Sequence, residues 1–191
     1  MKCLLCSEYS LVHICTSCQK TFLKPSLYKR TLSNGIEVLS FYKYQEIKDL
    51  LFTKHTDLGF YIYTLLAKNS FKKFAQEFSP DFQSASLAID DTIDSGYSHT
   101  ALLNKELNSS HIKPLYNKIR AKNQLSYSGK SKAFRLKNSR DFKIKEVKEK
   151  HIILVDDIVT TGTTLLEASN LLIKQKKEVL FCLTLADVSQ R

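Results

Sequence analysis

One stretch limits the possible folds of this chain more than any other. Ile152-Ile153-Leu154-Val155 runs into Asp156-Asp157, then Ile158-Val159, then Thr160-Thr161-Gly162-Thr163-Thr164, and Leu165-Leu166-Glu167-Ala168 follows at once. Four consecutive apolar residues predict a buried strand, and the apolar spacing after Thr164 predicts a helix. A strand that delivers acids to its carboxyl end and turns through a small, hydroxyl-rich loop into a helix belongs to an open α/β sheet, where ligands bind at that edge. Backbone N–H groups converging at the start of the helix offer an anion site fit for a phosphate. Gly162 allows close approach of the ligand, and the threonine hydroxyls add neutral donors. Carboxylates beside such a cradle would repel a bare polyphosphate. They suit sugar hydroxyls, or a magnesium ion brought in by the ligand. A ribose 5-phosphate satisfies both halves, with its ester in the loop and its ring toward Asp156 and Asp157. As polar groups at a strand end, the two acids are expected to carry little of the core. The plainer alternative is that Asp157 opens a turn and Thr160 or Thr163 only caps a helix.

A second feature stands at the amino terminus. Cys3-x-x-Cys6 and Cys15-x-x-Cys18 account for four of the five cysteines. Each pair lets two thiolates from one tight turn reach the same ion, and two such turns complete a tetrahedral sulfur shell that has no open position. The expectation is a structural zinc ion that holds residues 1–25 together, since so few residues make no core alone. Disulfides or unrelated thiols are the alternatives. The absence of an export signal disfavours the first, and the regular spacing disfavours the second. His13 is expected at the surface, and Cys182 as a small buried hydrophobe.

The rest of the chain alternates between strand and helix patterns. Leu27 to Tyr44 reads as two strands around Asn34-Gly35, a dipeptide suited to a tight hairpin, and this hairpin is expected to join the zinc module to the main domain. Leu58 to Phe78 reads as one long amphipathic helix. Ser84 to Asp90 reads as a buried strand, Tyr97 to Leu107 as a helix and Ile112 to Ile119 as a strand. His151 to Val155, Thr164 to Lys176 and Glu178 to Ala186 complete a strand, a helix and a strand. The predicted architecture is α/β, a largely parallel sheet flanked by helices, with a zinc module at 1–25 and the main domain at 26–191.

Charge is unevenly spread. The net charge is +10, and residues 113–150 carry 13 of the 29 basic side chains against 3 of the 19 acidic ones. Tyr116, Tyr127, Phe134 and Phe142 are interleaved with these cations. Phosphodiester backbones attract such charge by releasing counterions, and aromatic faces stack on unpaired bases. Arg120, Lys122, Lys130, Lys132 and Arg135 are therefore candidate contacts for single-stranded DNA. A solvated loop, or a flap closing over substrate, is the alternative. Ser128-Gly129-Lys130-Ser131 echoes a P-loop, but Gln124 stands where that motif needs glycine. No apolar run is long enough to span a membrane, and a cytoplasmic location is expected.

The thirteen positions from Ile152 to Thr164 resemble the signature by which type I phosphoribosyltransferases bind 5-phosphoribosyl 1-diphosphate (PRPP). With four cysteines ahead of it, the chain resembles the ComF-type competence proteins of naturally transformable bacteria. The resemblance implies a type I phosphoribosyltransferase-like sheet, with Asp156 and Asp157 on the ribose hydroxyls and in any catalysis. It implies PRPP binding by those two acids with Val159, Thr160, Thr161, Gly162, Thr163 and Thr164, and Mg²⁺ bound with the PRPP. It also implies a role in DNA uptake, alongside other DNA-uptake proteins. On the pyrophosphate side the sequence departs from the family. An Arg-Gly-Phe-Asn-Gln-like stretch is replaced by Ser95-Gly96-Tyr97-Ser98-His99, preceded by Asp90, Asp91 and Asp94. Two alternatives are a metabolic nucleobase phosphoribosyltransferase, for which no base-recognition hood is visible after Ala186, and a PRPP sensor without turnover.

Overall fold

The structure is a computed structural model, and it describes residues 1–90, 92–93, 96–122 and 141–190. Lys130, Lys132, Arg135, Asp91, Asp94 and the P-loop echo lie outside the described residues.

Seven strands form one sheet: β1 (Tyr28–Thr31), β2 (Glu37–Lys43), β3 (Ser84–Ile89), β4 (Ile112–Ala121), β5 (Phe142–Ile144), β6 (His151–Val159) and β7 (Glu178–Asp187). Their order is β1-β2-β7-β6-β3-β4-β5. The five central strands are parallel, and β1 and β5 are antiparallel edges. The expected α/β architecture is therefore present. The second strand of the predicted hairpin is β2, which pairs with β7, so the hairpin is an integral edge of the sheet. Its turn closes as read, with Gly35 at φ +85°.

Helices cover both faces. α1 (Thr16–Phe22) belongs to the cysteine module, and α2 (Tyr44–Leu51), α3 (Asp57–Asn69), α4 (Phe71–Glu77) and α5 (His99–Lys105) pack on one face, while α6 (Thr163–Lys174) covers the other. In α6, Leu165, Ala168 and Leu172 recur at three- and four-residue spacing and are buried, each apolar side chain larger than alanine contributing about 2 kcal/mol. Ile14 and Leu23 of the cysteine module are also buried, in the same cluster as Ile62, Tyr63 and Leu66 of α3, so the module completes a core it shares with the domain.

The single helix expected over 58–78 is two. The break is at Ser70, whose φ of −119° and ψ of −74° end α3 and start α4. Its hydroxyl donates to the Leu66 carbonyl at 2.7 Å, which already accepts the Ser70 amide, and this back-bonding bends the chain so that Phe71 turns fully inward. The helix expected from Tyr97 begins at His99, with Ser98 as its cap through a 3.1 Å bond from the Ala101 amide.

Candidate ligand site at the carboxyl edge of the sheet

β6 runs two residues past the acid pair, to Val159. The pair therefore lies inside the strand and not at its end. Side chains alternate across a strand. Ile153 and Val155 pack toward α3, and Asp157 follows them. Ile152 and Leu154 pack toward α6, and Asp156 follows those. The two carboxylates thus leave the sheet on opposite faces. Asp156 is partly exposed and accepts the Asp157 amide at 2.8 Å.

Asp157 is buried and surrounded. Lys54 Nζ lies 3.2 Å from its Oδ2, His99 Nε2 lies 3.5 Å from the same oxygen, and the Tyr63 hydroxyl lies 3.4 Å away. Lys54 comes from a 3₁₀ turn, Phe52–His55, which the Tyr97 hydroxyl pins by donating to the Lys54 carbonyl at 2.5 Å. Burial alone would push the Asp157 carboxyl up, but the Lys54 ammonium beside it brings its pKa down to about 2. Burial pushes the His99 imidazole below its usual value, against the pull of Asp157, so His99 is neutral at pH 7. Burial, and then the Asp157 charge, raise the Tyr63 phenol, which stays protonated and able to donate. Removing Asp157 would leave the Lys54 ammonium partly buried and without its partner. The sequence-based expectation that both acids carry little of the core fails for Asp157.

The sign of the pH dependence follows from these shifts. The folded pKa values of Asp157 and His99 are both depressed, so their stabilising contributions are complete above the unfolded values and are lost as pH falls. Stability should decline first as pH drops below about 6.5, through His99, and again between about pH 4 and 2, where Asp157 is expected to account for about 2 kcal/mol. Urea melts at a series of pH values would show this. Asp157→Asn should abolish the acidic step, and a step that persists in that variant would assign it to another group.

The Thr160–Thr164 loop follows β6 and opens α6. Gly162 occupies the position before the helix with φ +79° and ψ 1°, a left-handed conformation, and makes no side-chain cap. Thr163 does not cap the helix either: its hydroxyl lies 2.9 Å from that of Thr161, whose oxygen accepts the Thr163 amide at 3.4 Å. Behind the loop stands a group that sequence reading missed. Arg30 of β1 donates to the Thr160 carbonyl at 2.9 Å and to Asp187 at the end of β7 at 3.1 Å, with Asp187 only 1% exposed. The edge hairpin therefore braces the loop.

At the neighbouring strand end, Asp90 adopts φ +50°. Its carboxylate accepts the Ala121 amide at 3.4 Å and the Thr92 hydroxyl at 3.2 Å. This acid closes the end of β4 against β3, which gives it a structural use. Among the described DNA candidates, Arg120 is bonded to Asn117, and Lys122 pairs with Asp141 at 2.9 Å, at the exposed end of β4.

The amino-terminal sulfurs converge. The four Sγ atoms of Cys3, Cys6, Cys15 and Cys18 lie within 4.8 Å of one another, and those of Cys6 and Cys15 are 3.8 Å apart. A zinc ion with bonds of about 2.3 Å in a tetrahedron requires sulfur separations of about 3.8 Å, so the cluster can hold a metal such as zinc. The Cys15 amide points at Cys3 Sγ at 3.3 Å and the Cys18 amide at Cys15 Sγ at 3.4 Å, which supports thiolate charge. The Cys15 amide chiefly holds the Cys3 thiol down at about 6. His13, expected at the surface, is half-buried with its ring 4.8 Å from that of Tyr61. Cys182 is buried as expected, and burial pushes its thiol up to about 12, which leaves it inert.

Fold and site together define an α/β domain whose central strand carries an acid pair and leads through a glycine-bearing loop into a helix. Residues 119–191, which hold β6, the loop and β7, match the family model described as a phosphoribosyl transferase domain. The resemblance read from residues 152–164 is borne out over this stretch. No curated protein matches the chain. Among solved structures, a hypoxanthine phosphoribosyltransferase from Staphylococcus aureus is similar at 16% identity and a TM-score of 0.40, over 65% of this chain and 62% of that one. The chain thus spans less than two thirds of that protein. An orotate phosphoribosyltransferase from Aeropyrum pernix is similar at 16% identity and a TM-score of 0.40, over 90% and 80% of the two chains. An adenine phosphoribosyltransferase is similar at 16% identity and a TM-score of 0.41, over 91% of each. Among the described residues no helix is long and apolar enough to cross a membrane.

Proposed function

We propose that the chain binds PRPP at the carboxyl edge of the sheet, as a ComF-type protein that handles incoming single-stranded DNA in the cytoplasm during natural transformation. The observation that carries the first half is the left-handed Gly162 at the entry to α6, which sets the Thr160–Thr164 loop at the positive end of a helix of 12 residues. The 5-phosphate sits there, and Val159 leads into it. Asp156, the partly exposed acid, is assigned the ribose hydroxyls, and Asp157 is assigned to the site through the Lys54 ammonium that it holds. Magnesium fits the site as a companion of the ligand, because one accessible carboxylate beside a diphosphate suits its preference for few protein oxygens. Bound, it would neutralise charge on the departing pyrophosphate. The protein's own part is to fix the ester, orient the ring and exclude water around the anomeric carbon. Zinc is assigned to Cys3, Cys6, Cys15 and Cys18 in a purely structural role.

DNA binding is supported by the charge of residues 113–150, including Arg120 and Lys122, and is extended by proposal to Lys130, Lys132 and Arg135. Other DNA-uptake proteins are its natural partners in this reading. Calorimetry of the pure protein with Mg²⁺ and PRPP tests the central point. Saturable binding that is lost in Asp156→Ala is expected, and no heat at millimolar ligand would overturn it. Pyrophosphate release with a panel of nucleobases would favour a salvage enzyme instead.

A further inference from the structure

A second groove starts at the opposite end of the sheet and runs along β4 toward Ile119. The strand starts Ser84, Ile112 and His151 are in register, so Lys113 and the residues leading into β6 sit at the amino edge. β6 is nine residues long, which places this edge on the order of 25 Å from the Thr160–Thr164 loop. Here Lys113, Lys118, Lys145 and Lys148 line a groove of about 440 Å³ together with Glu146 and Glu149, and Leu115 is its single apolar liner, so the cations outnumber the acids by two. An irregularity in β4 helps to build it. Leu115 faces Leu87 and Ile119 faces Ile89, so β4 carries two extra residues, with Asn117 at φ +55°. The Lys118 ammonium then donates to the Glu146 carbonyl at 2.6 Å. Lys113 pairs with Glu149 at 3.3 Å. Lys145 and Lys148 are exposed and have no side-chain partner among the described residues.

The turn from α6 to β7 adjoins this wall, with Lys177 Nζ 3.5 Å from the Lys148 carbonyl. That turn closes with bonds from Lys176 to Ile173 and from Lys177 to Leu172, and the left-handed position at its corner is Lys176, where glycine is the usual residue.

The geometry points to this groove as a binding site for the phosphodiester backbone of a nucleic-acid strand. It rests on the DNA-handling reading above and places the contact along β4 from Lys113 to Lys118, stopping two residues short of Arg120. Measured along β3, Lys113 and Lys118 stand roughly 10 Å apart, too far to converge on one phosphate and suited to successive ones. A membrane surface would call for exposed apolar side chains beside the lysines. Most of the large exposed ones, such as Leu11, Tyr9 and Tyr61, lie in the cysteine module and α3, and among the described residues only Tyr116 of β4 and Ile173 at the end of α6 stand near the groove, too few for a membrane face. With no aromatic side chain lining the groove, contact is to the backbone and independent of sequence.

The test uses the full chain, a fluorescein-labelled dT20 oligonucleotide and anisotropy across 50–200 mM NaCl. Lys145→Glu with Lys148→Glu is expected to weaken binding at least tenfold at 100 mM and to lower the salt slope by about 2, with an unchanged melting temperature. Excess PRPP should leave the affinity for dT20 unaltered. If the double variant binds as the parent does while reversal at Lys130, Lys132 and Arg135 abolishes binding, the groove is wrong and the DNA reading stands. If the parent chain does not bind dT20 at 50 mM salt, both fall. Competition by PRPP, or loss of binding only to anionic phosphatidylserine vesicles in the variant, also overturns the assignment.

Discussion

Serine in place of Cys15, or removal of the metal by a strong chelator, is expected to unfold residues 1–25 and to destabilise the whole chain. Cys15 does three things at once. Its sulfur completes the four-cysteine cluster, its amide points at Cys3, and it caps α1 by accepting the Cys18 amide. Structural zinc sites of this type contribute about 10–16 kcal/mol of apparent binding energy in isolated fingers, which becomes folding energy when the apo module has no structure of its own. The loss does not stay local. Ile14 and Leu23 leave the core they share with Ile62 and Leu66, and the Leu23 carbonyl no longer accepts the Tyr42 hydroxyl at 3.0 Å. Tyr42 belongs to β2, the strand that joins the cysteine module to the sheet. Zinc content by mass spectrometry, with hydrogen exchange over residues 1–25, checks this. A metal-free preparation with native protection there would refute the metal assignment.

Gly162→Ala is expected to abolish ligand binding and to cost about 2–5 kcal/mol of stability. A left-handed backbone costs a residue with a Cβ about 1–2 kcal/mol. The new methyl would also stand 2.6 Å from Leu32 Cδ2 and 3.1 Å from Arg30 Nη2, and a forced shift in a packed site adds about 1–3 kcal/mol. Leu32 is buried and cannot easily yield. If Arg30 yields, the guanidinium leaves the Thr160 carbonyl and Asp187, and the loop loses its brace. Gly35→Ala is the matched control. It has a similar φ of +85°, but nothing lies within 4 Å of the added carbon. It should therefore cost about 1 kcal/mol and leave binding intact. Equal losses of ribose 5-phosphate affinity in the two variants would show that the contacts at Gly162 do not matter.

The strand, acid pair, loop and helix at 152–168 were legible because their signals are local. An apolar run, a glycine and an apolar spacing each declare their structure within a few residues. The cysteine spacing was legible for the same reason. Lys54, Tyr63, His99 and Arg30 were not, because nothing within their own segments marks them. They reach Asp157 and Thr160 only through the order in which strands are laid side by side. The break at Ser70 was hidden by an apolar pattern that continues across it, since Phe71 and Phe74 keep helical spacing while a serine hydroxyl redirects the backbone. The extension of β6 past Asp157 was hidden as well, because acids read as a strand end unless the partner that neutralises them is known. The two extra residues in β4 left no trace in composition.

The pairing of β2 with β7 fixes when this molecule can finish folding. Ser40 and Thr184 share a buried hydrogen bond at 2.7 Å across 144 residues of sequence, and β2 has no other parallel neighbour. A nascent chain that has made its hairpin must hold an open apolar flank until β7 has been synthesised, and closing so distant a contact is slow. Assembly of this protein is thus delayed until after most of it has been translated, and during that interval the unpaired flank of β2 is the surface a chaperone would need to shield.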